Sequence, residues 1–265
     1  MINVLFLIPV LAAIGALLLN RHNCKKEILK FDLVQFIYAF ILSPLFFIWF
    51  KSFLFYLLKQ DLGLNLSLTE LFVFDTFYAV IFLFVYAFIV IHALTKSFEN
   101  KRFVDPLVDI FKHSEVIHLW ISHLIMFVGM MILLTFLSVI NVYFPLKIEA
   151  EQGSFYFLLF LSLPAGVVTF ATIWIANFTE YKFMKLMKLF FAIFFVIHVV
   201  LYFVFDPAFN IAYLMYWFVF IIFVICVMFS FFFEKSEKTM SLFDRFSNKY
   251  KKGWRGSKKK FLLTK

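Results

Sequence analysis

Glycine is scarce in this 265-residue chain, with 7 residues, and cysteine scarcer still, with 2. Charged side chains make up 15% of it, against about 25% in an ordinary soluble domain. Each shortage removes a class of protein. Cys24 lies in a polar stretch and Cys226 in an apolar one, so no disulfide framework forms and a thiolate metal site lacks ligands. Cys226 reads as a small apolar packing residue. There is no Gly-rich phosphate loop, no His-Glu-x-x-His and no nucleophile elbow, and the common soluble-enzyme signatures are thereby absent. The last apolar run contains no lysine, which excludes a retinal Schiff base there.

What remains is oil. The chain is 64% hydrophobic and carries 44 phenylalanines, with the charges gathered between long apolar runs. A helix needs roughly 20 apolar residues to cross about 30 Å of hydrocarbon. Seven stretches qualify: Ile2–Leu19, Leu33–Leu58, Leu71–Leu94, Val116–Phe144, Phe155–Phe178, Leu189–Phe205 and Ile211–Phe233. The expected fold is all-α, a polytopic integral membrane protein with seven transmembrane helices over residues 1–233, followed by a basic tail over 234–265. The first and sixth runs are short and must each borrow a turn from their flanks.

Lys and Arg counts orient the chain. The first, third and fifth loops carry four, four and three basic residues, and the tail carries eleven. The alternate loops carry two, one and none. The bias predicts an outside N-terminus, a cytoplasmic C-terminus and residence in a cell membrane, the bacterial inner membrane or its equivalent. The first run lacks a positive segment before it and reads as a reverse signal anchor rather than a cleaved signal. Its small residues Ala12, Ala13, Gly15 and Ala16 suggest a face for close helix contact. In the tail, aromatic side chains alternate with the positive charge, which suits anionic lipid headgroups; nucleic acid or ribosome contact would use the same charges and is the lesser reading. Oligomerisation is left open.

Ionisable residues within spans are costly and are functional candidates for that reason. Lys51 and Asp75 are expected at matching depth on neighbouring helices, as an outer charge pair or as two side chains reaching the interface. In the fifth run, Ser162, Pro164, Gly166, Thr169 and Thr172 describe a small, hydroxylated, kinked helix, suited to close packing or to lining a solute path. Pro44 should disturb the second run near its middle, with Ser43 able to satisfy a freed carbonyl.

The segment KHSEVIHLWISHL, residues 112–124, holds three histidines and a glutamate at the mouth of the fourth run. Glu115 and His118 have the i,i+3 spacing that helix bundles use for metals, and His92, ending the third run, is the natural partner from a second helix. His92, Glu115 and His118 are therefore the candidate metal set. At 100° per residue His123 falls about 140° from His118, so a regular helix cannot aim both at one target, and splayed rings at a polar membrane interface are the expected outcome. Asp105 and Pro106 mark a short interfacial helix before the fourth run. Three functions follow. The leading one is a small-solute or ion translocator with the fifth run along its path. The alternatives are a membrane-embedded haem or divalent-metal redox protein using the histidines, and a non-catalytic scaffold recruiting through its tail.

Overall fold

The computed structural model describes residues 2–21, 27–28, 31–99, 117–147, 152–176 and 181–233. Seven helical segments dominate them. Helix α1 spans Ile2–Arg21, and a two-residue antiparallel pairing of Glu27–Ile28 with Phe31–Asp32 leads into the next helix. Helix α2 covers Leu33–Lys59, α3 Leu68–Glu99, α4 Ile117–Tyr143, α5 Gln152–Ala176 with a break at Leu161, α6 Tyr181–Phe205, and α7 Ile211–Phe232. Among the described residues six helices are long and apolar enough to cross a membrane, and α1 contributes a shorter apolar stretch, Phe6–Leu18. This is a multi-pass, all-helical membrane architecture. The sixth helix begins at Tyr181, two turns before the apolar run expected from Leu189. Its first two turns carry Lys182, Lys185 and Lys188 ahead of the apolar run and extend the helix.

Large apolar side chains point outward along whole helices. Phe72, Val73, Phe77, Val80, Leu83 and Phe84 of α3 are all exposed, as are Val196, Val200, Phe203 and Val204 of α6. Water would not tolerate such area; lipid does. Inside, packing replaces the hydrophobic effect as the holding force, since lipid tails are as apolar as leucine. Phe50, Phe53, Leu54, Leu57 and Leu58 of α2 lie against Tyr78 and Phe82 of α3, Leu133 and Leu137 of α4, and Leu214 and Val219 of α7. Phe6 of α1 enters the same core edge-on to Phe53 and Phe218, with ring centres 5.3 and 5.0 Å away.

Close helix crossings use glycine where the fold requires it. A Cβ at Gly129 of α4 would collide with Val85 of α3, and one at Gly166 of α5 would lie 2.9 Å from Ile225 of α7. The Gly166 contact agrees with the small-residue spacing of the fifth run. The small face of α1 behaves otherwise: a Cβ at Gly15 meets nothing within 4 Å, and Ala13 and Ala16 border a cavity instead.

The connections α2–α3, α4–α5 and α6–α7 meet at one end of the bundle. Lys147 binds the buried Asp61 carboxylate at 2.7 Å, and its backbone N–H donates to Gln60 Oε1. Leu146 N–H donates to the Ala212 carbonyl at 2.8 Å. Asn141, fully buried, accepts from Met215 N–H and Tyr216 N–H and donates to the Ala212 carbonyl. It caps α7 from another helix, satisfying the orphan donors of a helix start. The turn between α2 and α3 reverses at Gly63, whose φ of 80° only glycine adopts freely.

Contacts divide the chain into Met1–Phe229 and Ser230–Lys265. Of the second unit only residues 230–233 are described, so the expected lipid-binding tail lies outside the described residues.

Candidate metal centre

The opposite end of the bundle carries the histidines, and a helical irregularity brings them together. Residues Ile117–Ser122 of α4 form a π-helical turn before regular α-helix resumes at His123. Five residues then make roughly one turn, because bonding runs i→i+5. His118 and His123, which a regular helix would set about 140° apart, come onto one face. Ser122 supports the wide turn from within: its hydroxyl donates to the carbonyls of Ile117 and His118. The expectation of splayed rings is corrected by this turn.

His92 of α3 completes the group. One ligand nitrogen from each of His92, His118 and His123 lies within 4.8 Å of the others. The ring centres are 4.4 Å apart for His92 and His118, 4.6 Å for His92 and His123, and 5.0 Å for His118 and His123. An ion bonded to imidazole at about 2 Å holds its nitrogens no more than about 4 Å apart, so small ring rotations close the set. His118 and His123 are buried. Phe127 stacks against His123, with Phe183 edge-on to it, which fixes that ring from behind.

Hydrogen bonds assign the nitrogens. Thr95 Oγ has one proton and two carbonyl acceptors on its own helix, Ile91 at 2.9 Å and His92 at 3.1 Å. Its lone pair therefore accepts from His118 Nδ1–H at 3.3 Å, which leaves Nε2 of His118 as the donor to a metal. His92 Nδ1 is buried without a hydrogen-bond partner, a condition that costs about 1–3 kcal/mol unless a ligand meets it. Three imidazoles with one position open suit zinc, copper, iron or nickel. Haem fits less well. His92 and His118 stack face to face with 23° between planes, whereas axial ligands must point at each other across a macrocycle.

The histidines border a cavity of about 410 Å³ lined by residues of α1, α2, α3, α4, α5 and α7. A second π-helical turn, Tyr38–Leu42 of α2, lies on its wall. Pro44 accounts for this turn, because its ring would clash with the carbonyl four residues earlier and it has no N–H to give. The wider turn lets Ser43 N–H and Ser43 Oγ both donate to the Tyr38 carbonyl, the role expected of Ser43. Tyr38 OH in turn donates to the Ala16 carbonyl of α1.

The other candidate residues divide. Thr169 and Thr172 line the cavity. Ser162 is buried and bonds the Leu159 carbonyl at the α5 break, Pro164 sits just after that break, and Gly166 packs on α7. Lys51 and Asp75 form an ion pair, and Lys51 also donates to the Asp75 carbonyl at 3.2 Å. Glu115 lies outside the described residues. His123 was the ligand that helical phase argued against, and the signal that could have included it was Ser122, a hydroxyl able to stabilise a wide turn between the two histidines. No family model matches the chain, and no curated protein or solved structure resembles it.

Proposed function

We propose that this protein is a metal-binding membrane protein whose centre is His92, His118 and His123, holding one divalent transition-metal ion with a fourth position facing the cavity. The observation that carries this reading is the convergence of three imidazole nitrogens from two helices within 4.8 Å, inside a bundle otherwise poor in polar side chains. The chain crosses the membrane seven times with its N-terminus outside and its C-terminus in the cytoplasm of a bacterial inner membrane or its equivalent. Support for that arrangement comes from the loop charges and from the mutual bonding of the α2–α3, α4–α5 and α6–α7 connections, which an alternating bundle puts on one side. The histidines then sit toward the cytoplasmic face.

The test is direct. Full-length protein purified without chelator is assayed for zinc, copper, iron and nickel, then titrated with acid. Imidazole must be neutral to bind metal, so protons compete and the ion is released as the pH is lowered. About one ion per chain, lost in acid, is expected. Protein that binds no metal at neutral pH ends the reading.

A second reading keeps a specific observation in its favour. Thr169 and Thr172 face the cavity from the broken helix α5, which suits passage of a small solute or the ion itself. Uptake into proteoliposomes, with Thr169→Val and Thr172→Val compared to the unaltered chain, tests translocation. The Lys51–Asp75 pair would mark the outer side of such a path.

A further inference from the structure

The cavity wall holds a buried acceptor that metal binding does not use. Gln35 of α2 lines the cavity and is 8% exposed, and its Oε1 has no hydrogen-bond partner among the described residues. An amide oxygen can only accept, and a buried acceptor left unmet is costly. Two hydroxyls on the same helix also line the cavity, but they are spent elsewhere. Tyr38 OH donates to the Ala16 carbonyl and Ser43 Oγ to the Tyr38 carbonyl. A group that meets Gln35 must therefore bring its own proton.

Beyond Gln35 the wall turns apolar. Phe46, further along α2, lines the cavity with Phe82 of α3 and with Met130, Met131 and Leu134 of α4. Phe46 follows Gln35 by eleven residues, roughly 16 Å of helical rise, about half of a 30 Å hydrocarbon layer. Phe82 stands at the depth of Phe46, since its ring centre lies 4.6 Å from that of Phe47. A mostly apolar cavity with a few placed polar groups is the usual form of a small-molecule site. We propose that it binds a neutral, lipid-soluble alcohol, the hydroxyl donating to Gln35 Oε1 and the apolar tail running toward Phe46 and Phe82. An ether, a quinone or a carboxylate has no proton to give and leaves Gln35 unmet. The methionines shape the wall to a tail without fixing its form.

The experiment titrates full-length protein in a non-ionic detergent with hexadecanol, hexadecyl methyl ether and octanol, affinities being expressed per mole fraction in the detergent. Hexadecanol should bind at least about tenfold more tightly than the ether, because a site built around a hydrogen bond rejects the analogue that lacks it. It should also bind severalfold more tightly than octanol. Gln35→Met removes the acceptor at nearly constant volume and should bring the alcohol-to-ether ratio to about one. Equal binding of alcohol and ether to the unaltered chain overturns the hydroxyl site, and a ratio that survives Gln35→Met overturns the role of Gln35. Equal binding of octanol and hexadecanol overturns the apolar shaft. Metal content is measured on every sample, and chelated protein should keep the alcohol preference, because Gln35 and not the ion receives the proton. A preference that vanishes with the metal overturns this placement, whereas protein that holds no metal and keeps the preference ends the metal reading alone. Should Gln35→Met fail to fold, the three ligands on the unaltered chain still decide.

Discussion

The two ends of the bundle differ in how they use buried polar groups. At the connection end Asn141 spends both its oxygen and its amide on the start of α7, and Lys147 pairs with one oxygen of Asp61, whose other oxygen is buried without a hydrogen bond. At the histidine end, Nδ1 of His92 likewise has no partner, but there the helix is widened into a π turn and a cavity adjoins. In a medium without water an unmet polar group is expensive. The cavity and the wide turn, rather than the unmet atom, set the second end apart as a place open to something from outside the chain, while the first reads as scaffold.

Ways to break this comparison run from large effects to small. His118→Ala or His123→Ala should reduce bound metal from about one per chain to near none, whereas His198→Ala, whose Nδ1 serves the Phe194 carbonyl, should retain it; elemental analysis decides, and metal surviving both of the first two changes would remove the centre. Asn141→Ala leaves Met215 N–H and Tyr216 N–H short of a partner, while the Ala212 carbonyl keeps Leu146 N–H. It should cost about 3 kcal/mol, seen as a lower thermal midpoint in detergent than Asn65→Ala gives in the exposed turn. If the two variants melt alike, the scaffold role of that end is mistaken.

Gly129→Ala should destabilise by about 1–3 kcal/mol through overpacking on Val85, while Gly15→Ala, which meets open space, should leave the melting curve unchanged or slightly higher. Thr95→Val removes the acceptor for His118 Nδ1–H and should weaken metal affinity about 10- to 100-fold without altering the thermal midpoint of the metal-free protein. An unchanged affinity would show that Thr95 does not set the tautomer. Smallest of all, Lys51→Met in the half-exposed pair with Asp75 should change stability by less than about 1 kcal/mol. A larger loss on thermal unfolding would promote that pair from trimming to framework.

Much of this molecule is legible along the chain because lipid imposes a simple rule. Spans must be long and apolar, and a helix meets all its backbone polar groups within the segment, so most helical regions from α2 to α7 could be bounded closely from residue type alone, α6 being the exception, with its start at Tyr181. The Lys51–Asp75 approach was legible too, as depth along neighbouring helices is arithmetic. The closeness of α5 to α7 at Gly166 was written in small residues four apart. Asn141 gave no such sign, because a helix cap supplied from another helix has no local spacing to betray it.

The histidines mark where sequence reasoning stops. Residue types at 92, 118 and 123 announce ligand chemistry, but whether they share a target depends on helical phase, and phase was taken as 100° per residue. One π turn, stabilised by Ser122, shifts that phase enough to bring His123 round to His118 and His92. A single wide turn is a small energetic choice, and contacts with α3 and α6, His118 against His92 and Trp120 against Phe183, accompany the local bonds of Ser122. The sequence by itself determined a helical membrane protein with histidines at one depth; only the tertiary structure decided that three of them meet, and that a cavity lies beside them.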